Sequence, residues 1–497
     1  MSFTDLHLSI RCAALAASLV ACGGTSQPAL QTAPSDSASA PAAAPDAAGG
    51  PQGGASATTA FVGVAVVPMD SERILRAHTV VTRGDRIVAM GPSQDIEVPA
   101  GAEVIDGRGK YLLPGLIDMH VHLATPEAPS LFVANGVTAV RNMWGTPELL
   151  TLNEQILAGA LVGPSVYSTG PIIDGEPMYW EASEKIVDPA QADALVAAHQ
   201  SAGYDGVKLY MNLREPVYRA LVAAARARGI RSAAHVPSAV GMDVVLEQPV
   251  DSLEHLWGYF LTPSAELIST DPLVVIRAEA ESWLGVTPAQ MQALAARLAD
   301  KQVYSCATLH LRRQMGLMGA PNAFAGVDKR YVSPFLLSVW TEHSPYTKLG
   351  ERDFQNLLAS HRQQEIMVRA LRDAGAKLLI GTDTPNPGML PGFSVHDELA
   401  NFVDAGLSPY EALRAGTHDA AEYLGALDEI GTVAVGRRAD LLLLSGDPLR
   451  DIGNSRDITG VMVRGTWHSR AALDQLLTEV EAMIAAAPAP STDGHRH

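Results

Sequence analysis

Strand-like and helical patterns of hydrophobic residues alternate through the middle of the chain. Short apolar, β-rich runs are followed by stretches whose apolar residues recur every three or four positions. The eight predicted strands are 116–123, 138–143, 165–173, 206–210, 231–236, 251–256, 303–309 and 377–383, and helices between them include 190–202, 215–228, 288–300 and 363–374. This alternation predicts an α/β fold, a parallel (β/α)8 TIM barrel. An open doubly wound sheet is the alternative, but no glycine-rich phosphate loop follows the first strand.

Both flanks of the predicted barrel carry β-rich segments instead. These segments are 60–67, 78–82 and 86–90 before the barrel, and 439–444 and 458–463 after it. A tight turn at Gly84-Asp85 joins two of them into a hairpin. Neither flank has enough strands for a stable sheet of its own, so we predict that the two pair into one small composite β-sandwich domain.

The N-terminal segment has the pattern of a secretion signal and a tether. A ten-residue apolar run, 12–21, follows Arg11, is too short to span a bilayer, and ends at Cys22 in the sequence LVAC. This end resembles a bacterial lipoprotein signal, in which the cysteine is lipidated; an alanine-rich start with a chance cysteine is the alternative. Residues 23–57 are rich in Ala, Pro, Ser and Gly and predict a flexible linker. We therefore expect a bacterial lipoprotein, exported to the periplasm or anchored to the outer membrane.

These patterns divide the chain into six predicted segments. They are the signal peptide (1–22), the linker (23–57), the two parts of the β domain (58–115 and 425–470), the barrel (116–424) and a C-terminal helix and tail (471–497). The net charge is −18, and without a basic run to offset it nucleic-acid binding is not expected. Three cysteines are too few for a disulfide framework. The sequence leaves a homo-oligomer open.

Potential metal ligands fall at the ends of the predicted strands, on the side where barrel enzymes carry their active sites. His120 and His122 lie two residues apart on the first strand, so their side chains share a face. Lys208 ends the fourth strand, where burial would favour its neutral form, although a lysine reaching out to solvent is the alternative. Three further residues end strands five, six and eight: His235, His255 and Asp383. The spacing of these residues predicts one shared site.

The segments that carry these residues resemble the amidohydrolase superfamily, in the branch that includes imidazolonepropionase-like and prolidase-like enzymes. The resemblance extends from about Phe61 to Trp467. Its motifs are LPGLIDMHVH (113–122), NGVT (135–138), SLEHL (252–256), GTD (381–383) and GRRADL (436–441). The resemblance implies one metal ion held by His120, His122 and Asp383 and a second held by His235 and His255. It also implies a bridging carbamate on Lys208. Imidazole and carboxylate ligands suit zinc best, although manganese, cobalt and iron fit them too.

Such a centre predicts hydrolysis of a small amide or peptide-like substrate at a C–N bond. Two cations that share a bridging water can lower its pKa to about 7 and polarise a carbonyl group. Asp383 can take the water proton and return it to the departing nitrogen. Tyr210 lies on the same face as Lys208 and is a candidate donor to the oxyanion, with an aromatic packed at the barrel rim as the alternative. His396 follows strand eight closely enough to contact substrate, with a histidine at the start of a helix as the alternative.

Other functions stay open at this point. A mononuclear deaminase or cyclic-amide hydrolase is one, although Lys208 counts against it because relatives of that kind often lack this lysine. The same centre could hydrolyse a lactone or a phosphoester, and a barrel without activity is a further alternative. The long connections around strand seven add the prediction of an aromatic pocket with a cation for a substrate carboxylate. Its candidate residues are Trp257, Trp283, Arg312, Arg313, Tyr331, Trp340 and Tyr346.

Overall fold

The computed structural model describes residues 57–487, so the predicted signal peptide with Cys22, the linker up to residue 56 and the chain from residue 488 lie outside the described residues. The strands are β1 (Thr58–Val66), β2 (Leu75–Arg83), β3 (Arg86–Pro92), β4 (Glu103–Asp106), β5 (Tyr111–Pro114), β6 (Leu116–Val121), β7 (Val137–Asn142), β8 (Ser165–Asp174), β9 (Glu184–Lys185), β10 (Gly206–Leu209), β11 (Arg231–Ala234), β12 (Ser252–Glu254), β13 (Tyr304–Cys306), β14 (Lys377–Leu379), β15 (Leu441–Leu444), β16 (Ile458–Val463) and β17 (Thr466–Ser469).

The α-helices of the described part are α1 (Ala128–Ala134), α2 (Pro147–Leu157), α3 (Ala192–Ala202), α4 (Glu215–Arg228), α5 (Gly241–Glu247), α6 (Pro272–Ser282), α7 (Pro288–Asp300), α8 (Leu309–Leu317), α9 (Pro334–Ser338), α10 (Glu351–Asp373), α11 (Ser394–Asp404), α12 (Pro409–Ala415), α13 (His418–Leu424) and α14 (Arg470–Ala485). Between residues 57 and 487, none of them combines the length and the apolar sequence that crossing a membrane requires.

Eight parallel strands form the predicted barrel. Their order is β6-β7-β8-β10-β11-β12-β13-β14, with the two-residue β9 beside β8, and each predicted strand segment overlaps one of them. The ring is nearly closed where β6 meets the chain that follows β14. There Met119 N donates to Ile380 O at 2.9 Å, and His122 N donates to Thr384 O at 2.8 Å. The prediction of a TIM barrel is confirmed, and the closure brings the first histidine pair beside the end of the eighth strand.

The composite β domain is also confirmed. Its sheet has the order β17-β16-β15-β5-β1-β2-β3, with β4 beside β1. The two flanks meet at β5 and β15, where Leu112 pairs with Leu443 in antiparallel register. Phe61 and Ile87 from the first flank share a hydrophobic core with Met462 from the second. The two flanks therefore share one hydrophobic core, and Leu442 and Ile458 of the second flank also pack into the core of the barrel.

Local sequence explains where the helices of the barrel begin and end. Helix α4 has Glu215 and Pro216 in its first turn, where an acidic side chain suits the helix dipole and proline loses no hydrogen bond. It ends at Gly229, whose φ of 66° closes the helix in the left-handed conformation. The helical periodicity alone placed the start of α10 too late. This helix begins at Glu351, twelve residues before the predicted start, because the Asp353 carboxylate accepts from Gly350 N at 3.0 Å and caps it.

Candidate metal centre

The first group of predicted ligands converges on the carboxylate of Asp383. Asp383 Oδ1 lies 2.9 Å from His122 Nε2 and 3.4 Å from His120 Nε2. Both histidines belong to β6 or the residue after it, and Asp383 follows β14, so the barrel closure is what joins them. The three side chains place two imidazole nitrogens and one carboxylate oxygen around a single point.

The second group lies directly beside the first. The His235 and His255 rings are 4.8 Å apart between centroids, and the His255 ring is 4.3 Å from that of His120. His255 Nε2 lies 3.9 Å from Asp383 Oδ2, so this carboxylate faces both groups. The ligating atoms of His120, His255 and Asp383 all lie within 4.8 Å of one another, close enough to share a metal ion.

Lys208 is buried among these residues and keeps its amine unpaired. Its side chain is 1% exposed, and within the described chain Nζ has no hydrogen-bond partner. Burial lowers the pKa of Lys208 to about 8, against the opposing effect of the Glu254 and Asp383 carboxylates. Burial therefore favours the neutral amine, which is the form that can act as a nucleophile.

The cluster has the chemistry of a cation site. Buried polar atoms without a hydrogen bond are costly, and among residues 57–487 His122 Nδ1 and His235 Nδ1 are both in this state, together with the Lys208 amine. Burial is the main cause that lowers the pKa of His120, His235 and His255 well below the usual histidine range, and the charge of Lys208 adds to it in all three. Neutral imidazole is the form that binds a metal. The residues present therefore fit divalent cations.

Partners behind the histidines fix their ring orientation. His120 Nδ1 lies 2.7 Å from Glu254 Oε2, and His255 Nδ1 lies 2.8 Å from Thr308 Oγ1. Arg141 donates to both oxygens of Glu254, at 2.8 and 2.9 Å, so the buried carboxylate contacts both Arg141 and His120. With Nδ1 engaged, the Nε2 atoms of His120 and His255 are left to face Asp383.

Sequence reasoning missed Arg141, Glu254 and Thr308. A signal was present for Glu254, because Ser252 and Glu254 share the inner face of β12, where a carboxylate needs a partner. No strand pattern predicts that the next residue, His255, also turns inward. It does so because His255 adopts a left-handed backbone with φ of 63°, as do Thr308 (47°) and Asp383 (57°). Such strained residues concentrate at functional sites, since only a well-packed surrounding structure holds them.

A comparison of the sequence with known families decides its relationship. The model of the amidohydrolase family matches residues 111–468, which is well over half of the chain. The chain belongs to the amidohydrolase family. The predicted resemblance is thereby confirmed, and with it the prediction of a hydrolase that acts on carbon–nitrogen bonds.

Individual proteins agree with this assignment. The imidazolonepropionase of Rubrobacter xylanophilus is 28% identical over 395 residues, covering 75% of this chain and 86% of that protein. A solved bottromycin amidohydrolase superposes with a TM-score of 0.69 at 26% identity, covering 86% of this chain and 90% of the other. A putative prolidase from Bifidobacterium longum superposes with a TM-score of 0.62 at 25% identity, covering 86% of this chain and all of the other.

In this chain Tyr210 lies beside the predicted metal ligands, whereas His396 does not. The Tyr210 ring is 4.4 Å from that of His235, and its hydroxyl accepts from Trp180 Nε1 at 2.9 Å. Burial raises the pKa of Tyr210 well above its ordinary value, so the hydroxyl keeps its proton and can donate it in a hydrogen bond. His396 instead has Ser455 Oγ 2.9 Å from Nδ1 and the Asn135 carbonyl 3.1 Å from Nε2. Its helix α11 turns this ring into packing contacts rather than toward the metal ligands.

The predicted pocket around strand seven differs from expectation in two ways. Arg312 is buried, and its Nη2 lies 3.2 Å from Glu279 Oε1, so its charge is already neutralised. Trp283 is fully buried and donates to the same oxygen at 3.0 Å, so it belongs to the core. Trp340 and Tyr346 do line a cavity, of about 780 Å³, between α8 and α10. Two of the five predicted aromatic residues therefore line a cavity, and Arg312 is not a free cation for a substrate carboxylate.

Proposed function

We propose that this amidohydrolase holds two divalent cations, most suitably Zn²⁺, and hydrolyses the C–N bond of a small amide or peptide-like substrate. The observation that supports the proposal is the arrangement of two donor groups around one buried, unpaired lysine. His120, His122 and Asp383 form the first group, and His235 and His255 form the second. The names of the two solved neighbours, an amidohydrolase and a putative prolidase, favour a peptide-like substrate.

Lys208 would join the two groups through a carbamate. Its neutral amine attacks carbon dioxide, an N–C bond forms, and the amine proton leaves to solvent, so that the side chain ends in an anionic carboxylate. Burial favours the neutral amine that this step needs, since the pKa of Lys208 is lowered to about 8. The two new oxygens would give each donor group one further ligand and would partly balance the charge of two cations.

Asp383 and Tyr210 are the side chains that act on the substrate. The cations, when bound, would polarise the amide carbonyl and lower the pKa of a water molecule toward neutrality. Asp383 presents Oδ1 to one donor group and Oδ2 to the other, so its carboxylate can accept a proton from the attacking water and deliver it to the departing nitrogen. The Tyr210 hydroxyl, oriented by Trp180, can donate to the oxygen that becomes negative during attack.

A metal count combined with an activity screen tests this proposal. We expect about two cations per chain in protein purified with zinc, and hydrolysis of dipeptides or N-acyl amino acids that stops when a chelator removes the metal. One cation per chain would instead favour the mononuclear deaminase or cyclic-amide hydrolase. Two cations with turnover of lactones or phosphoesters but of no amide would contradict the proposed reaction.

We also propose export and lipid anchoring through Cys22, on the basis of the LVAC sequence and the linker that follows it. Growth with a radiolabelled fatty acid should label the full-length chain and not a Cys22→Ala variant. Label on neither chain would contradict lipidation.

A further inference from the structure

An aromatic wall covers one side of the metal centre at the mouth of the barrel. It consists of Trp144, Tyr179, Trp180, Tyr210 and Trp257, which follow the C-terminal ends of strands β7, β8, β10 and β12. Trp144, Tyr179 and Trp180 are half-buried, whereas Tyr210 and Trp257 are buried beneath them. The strand-end positions make these aromatic residues part of the face that carries the active site in barrel enzymes.

Ring contacts join this wall to the metal ligands at three points. Trp144 meets His122 with ring centroids 6.4 Å apart, and the His122 side chain is itself 26% exposed. Tyr210 and Trp257 lie against His235, at 4.4 and 5.7 Å. A substrate whose carbonyl reaches the metal ligands would therefore have this wall beside it.

Contacts within the wall hold its rings in place. Trp144 packs on Trp180 at 6.3 Å, and Tyr179 meets Trp180 edge to face at 5.0 Å. Behind them the buried Asp174 carboxylate accepts from Tyr179 N at 2.8 Å, which fixes the loop that carries both rings. Side chains that are ordered before binding lose little entropy when a ligand arrives, so their contacts contribute more to affinity.

The wall also has an unused hydrogen-bond donor. Trp257 is 7% exposed, and its Nε1 makes no hydrogen bond within residues 57–487. Since a buried indole N–H ordinarily finds an acceptor, this group is suited to an acceptor on a ligand. The Trp257 ring stacks on His235, so such an acceptor would lie next to the metal ligands.

We propose that this wall is a subsite for an uncharged aromatic ring of the substrate. The preferred substrates are therefore amides that carry such a ring. This inference rests on the proposed function, because the metal centre there supplies the reaction. Aromatic faces attract both rings and cations, but the Arg312 guanidinium already covers one face of Trp257, 5.6 Å from its ring centroid, and two dications would lie beside His122 and His235. The occupied face of Trp257 and the charge of the two dications disfavour a cationic group and leave the neutral ring.

Binding of ketones tests the subsite without relying on turnover, since a methyl ketone has the carbonyl group but no C–N bond to cleave. We would titrate the metal-loaded protein with 4-phenyl-2-butanone, 4-cyclohexyl-2-butanone and 2-butanone by calorimetry. Aromatic pairs contribute roughly 0.5–1.5 kcal/mol beyond area burial, so the phenyl ketone should bind about 2- to 10-fold more tightly than its saturated analogue. The short 2-butanone should bind most weakly.

Variants locate the effect. Trp144→Leu and Trp180→Leu should remove the preference for the phenyl ketone, and Trp467→Leu, a half-buried tryptophan in the composite sheet, should keep it. Equal or tighter binding of the cyclohexyl ketone, no detectable binding of the phenyl ketone, or the same loss in Trp467→Leu would overturn the subsite. If amide hydrolysis is absent while the phenyl preference persists, the proposed reaction fails and the subsite stands.

Discussion

Glu254 Oε2 lies 2.7 Å from Nδ1 of His120, and both side chains are buried at the base of the metal centre. The two residues are 134 positions apart in the sequence and belong to strands β6 and β12. The carboxylate holds the imidazole so that Nε2 faces Asp383, while Arg141 balances its charge. The orientation of a metal ligand thus depends on a residue that lies within the SLEHL motif but has no role assigned by the sequence analysis.

Glu254→Gln should weaken metal binding. Loss of such a carboxylate partner typically costs about 10- to 100-fold in metal affinity, and removing one partner of the buried pair with Arg141 also lowers the free energy of unfolding. Competition with a chelator measures the affinity. Glu184→Gln is the matched control, because Glu184 makes the same 2.7 Å contact with His199 away from the centre. Equal metal affinity in both variants would show that Glu254 only stabilises the fold.

Lys208→Ala should remove both metal ions and the activity. The substitution eliminates the amine that would carry the bridging carbamate, so each donor group loses one ligand. Elemental analysis should find fewer than one cation per chain, while the exposed Lys301→Ala variant keeps the wild-type content. If Lys208→Ala retains two cations, the carbamate bridge is refuted.

Tyr210→Phe should lower kcat and leave KM nearly unchanged. The ring and its packing on His235 remain, and only the hydroxyl that can donate to the oxyanion is lost. Removing one such donor typically costs about 10²- to 10³-fold in kcat. Steady-state kinetics on the best amide substrate would measure this, with Tyr331→Phe as a control in a separate hydrophobic cluster. A rise in KM alone would assign Tyr210 to substrate binding instead.

Asp383→Asn should abolish turnover even with metal supplied in excess. The amide can still bind a cation weakly through oxygen, but it cannot accept the proton of the attacking water. Activity should fall by about 10²-fold or more beyond any loss of metal, which a parallel metal count separates. Full activity at restored metal content would exclude Asp383 as the acid–base group.

The free energy of unfolding should decrease as the pH falls, because the fold holds His396 in its neutral form. Burial lowers the pKa of His396 to about 3, from an ordinary value near 6.5, so the unfolded chain binds a proton between these values and the folded chain does not. The contribution of neutral His396 to the free energy of unfolding is fully present above about pH 6.5. It is lost as the pH falls toward 3, by up to about 1.4 kcal/mol per pH unit.

Chemical denaturation of wild type and His396→Asn at several pH values between 4 and 7 measures this effect. The variant should show a shallower decline of the unfolding free energy with falling pH, and the difference between the two proteins cancels the contributions of other groups. Parallel declines would mean that His396 is not held neutral by the fold.

Local sequence determined the framework of this protein. Strand and helix periodicity depends on neighbours a few positions apart, so the eight barrel strands and the hairpin at Gly84-Asp85 could be read directly. The composite sheet followed from the same patterns, because neither flank has enough strands for a stable sheet of its own. The potential metal ligands could be named because strand ends of a parallel barrel all lie on one side.

The tertiary structure decided which polar groups meet. The partners of the ligands, Arg141, Glu254 and Thr308, and the pairing of Arg312 with Glu279 join residues from separate strands and helices. Whether such groups meet depends on strand register and on left-handed residues such as His255. The packing of helix α11 likewise directs the His396 ring toward Ser455 and away from the metal ligands. Those features arise from packing of the whole chain, so no local pattern of residues encodes them.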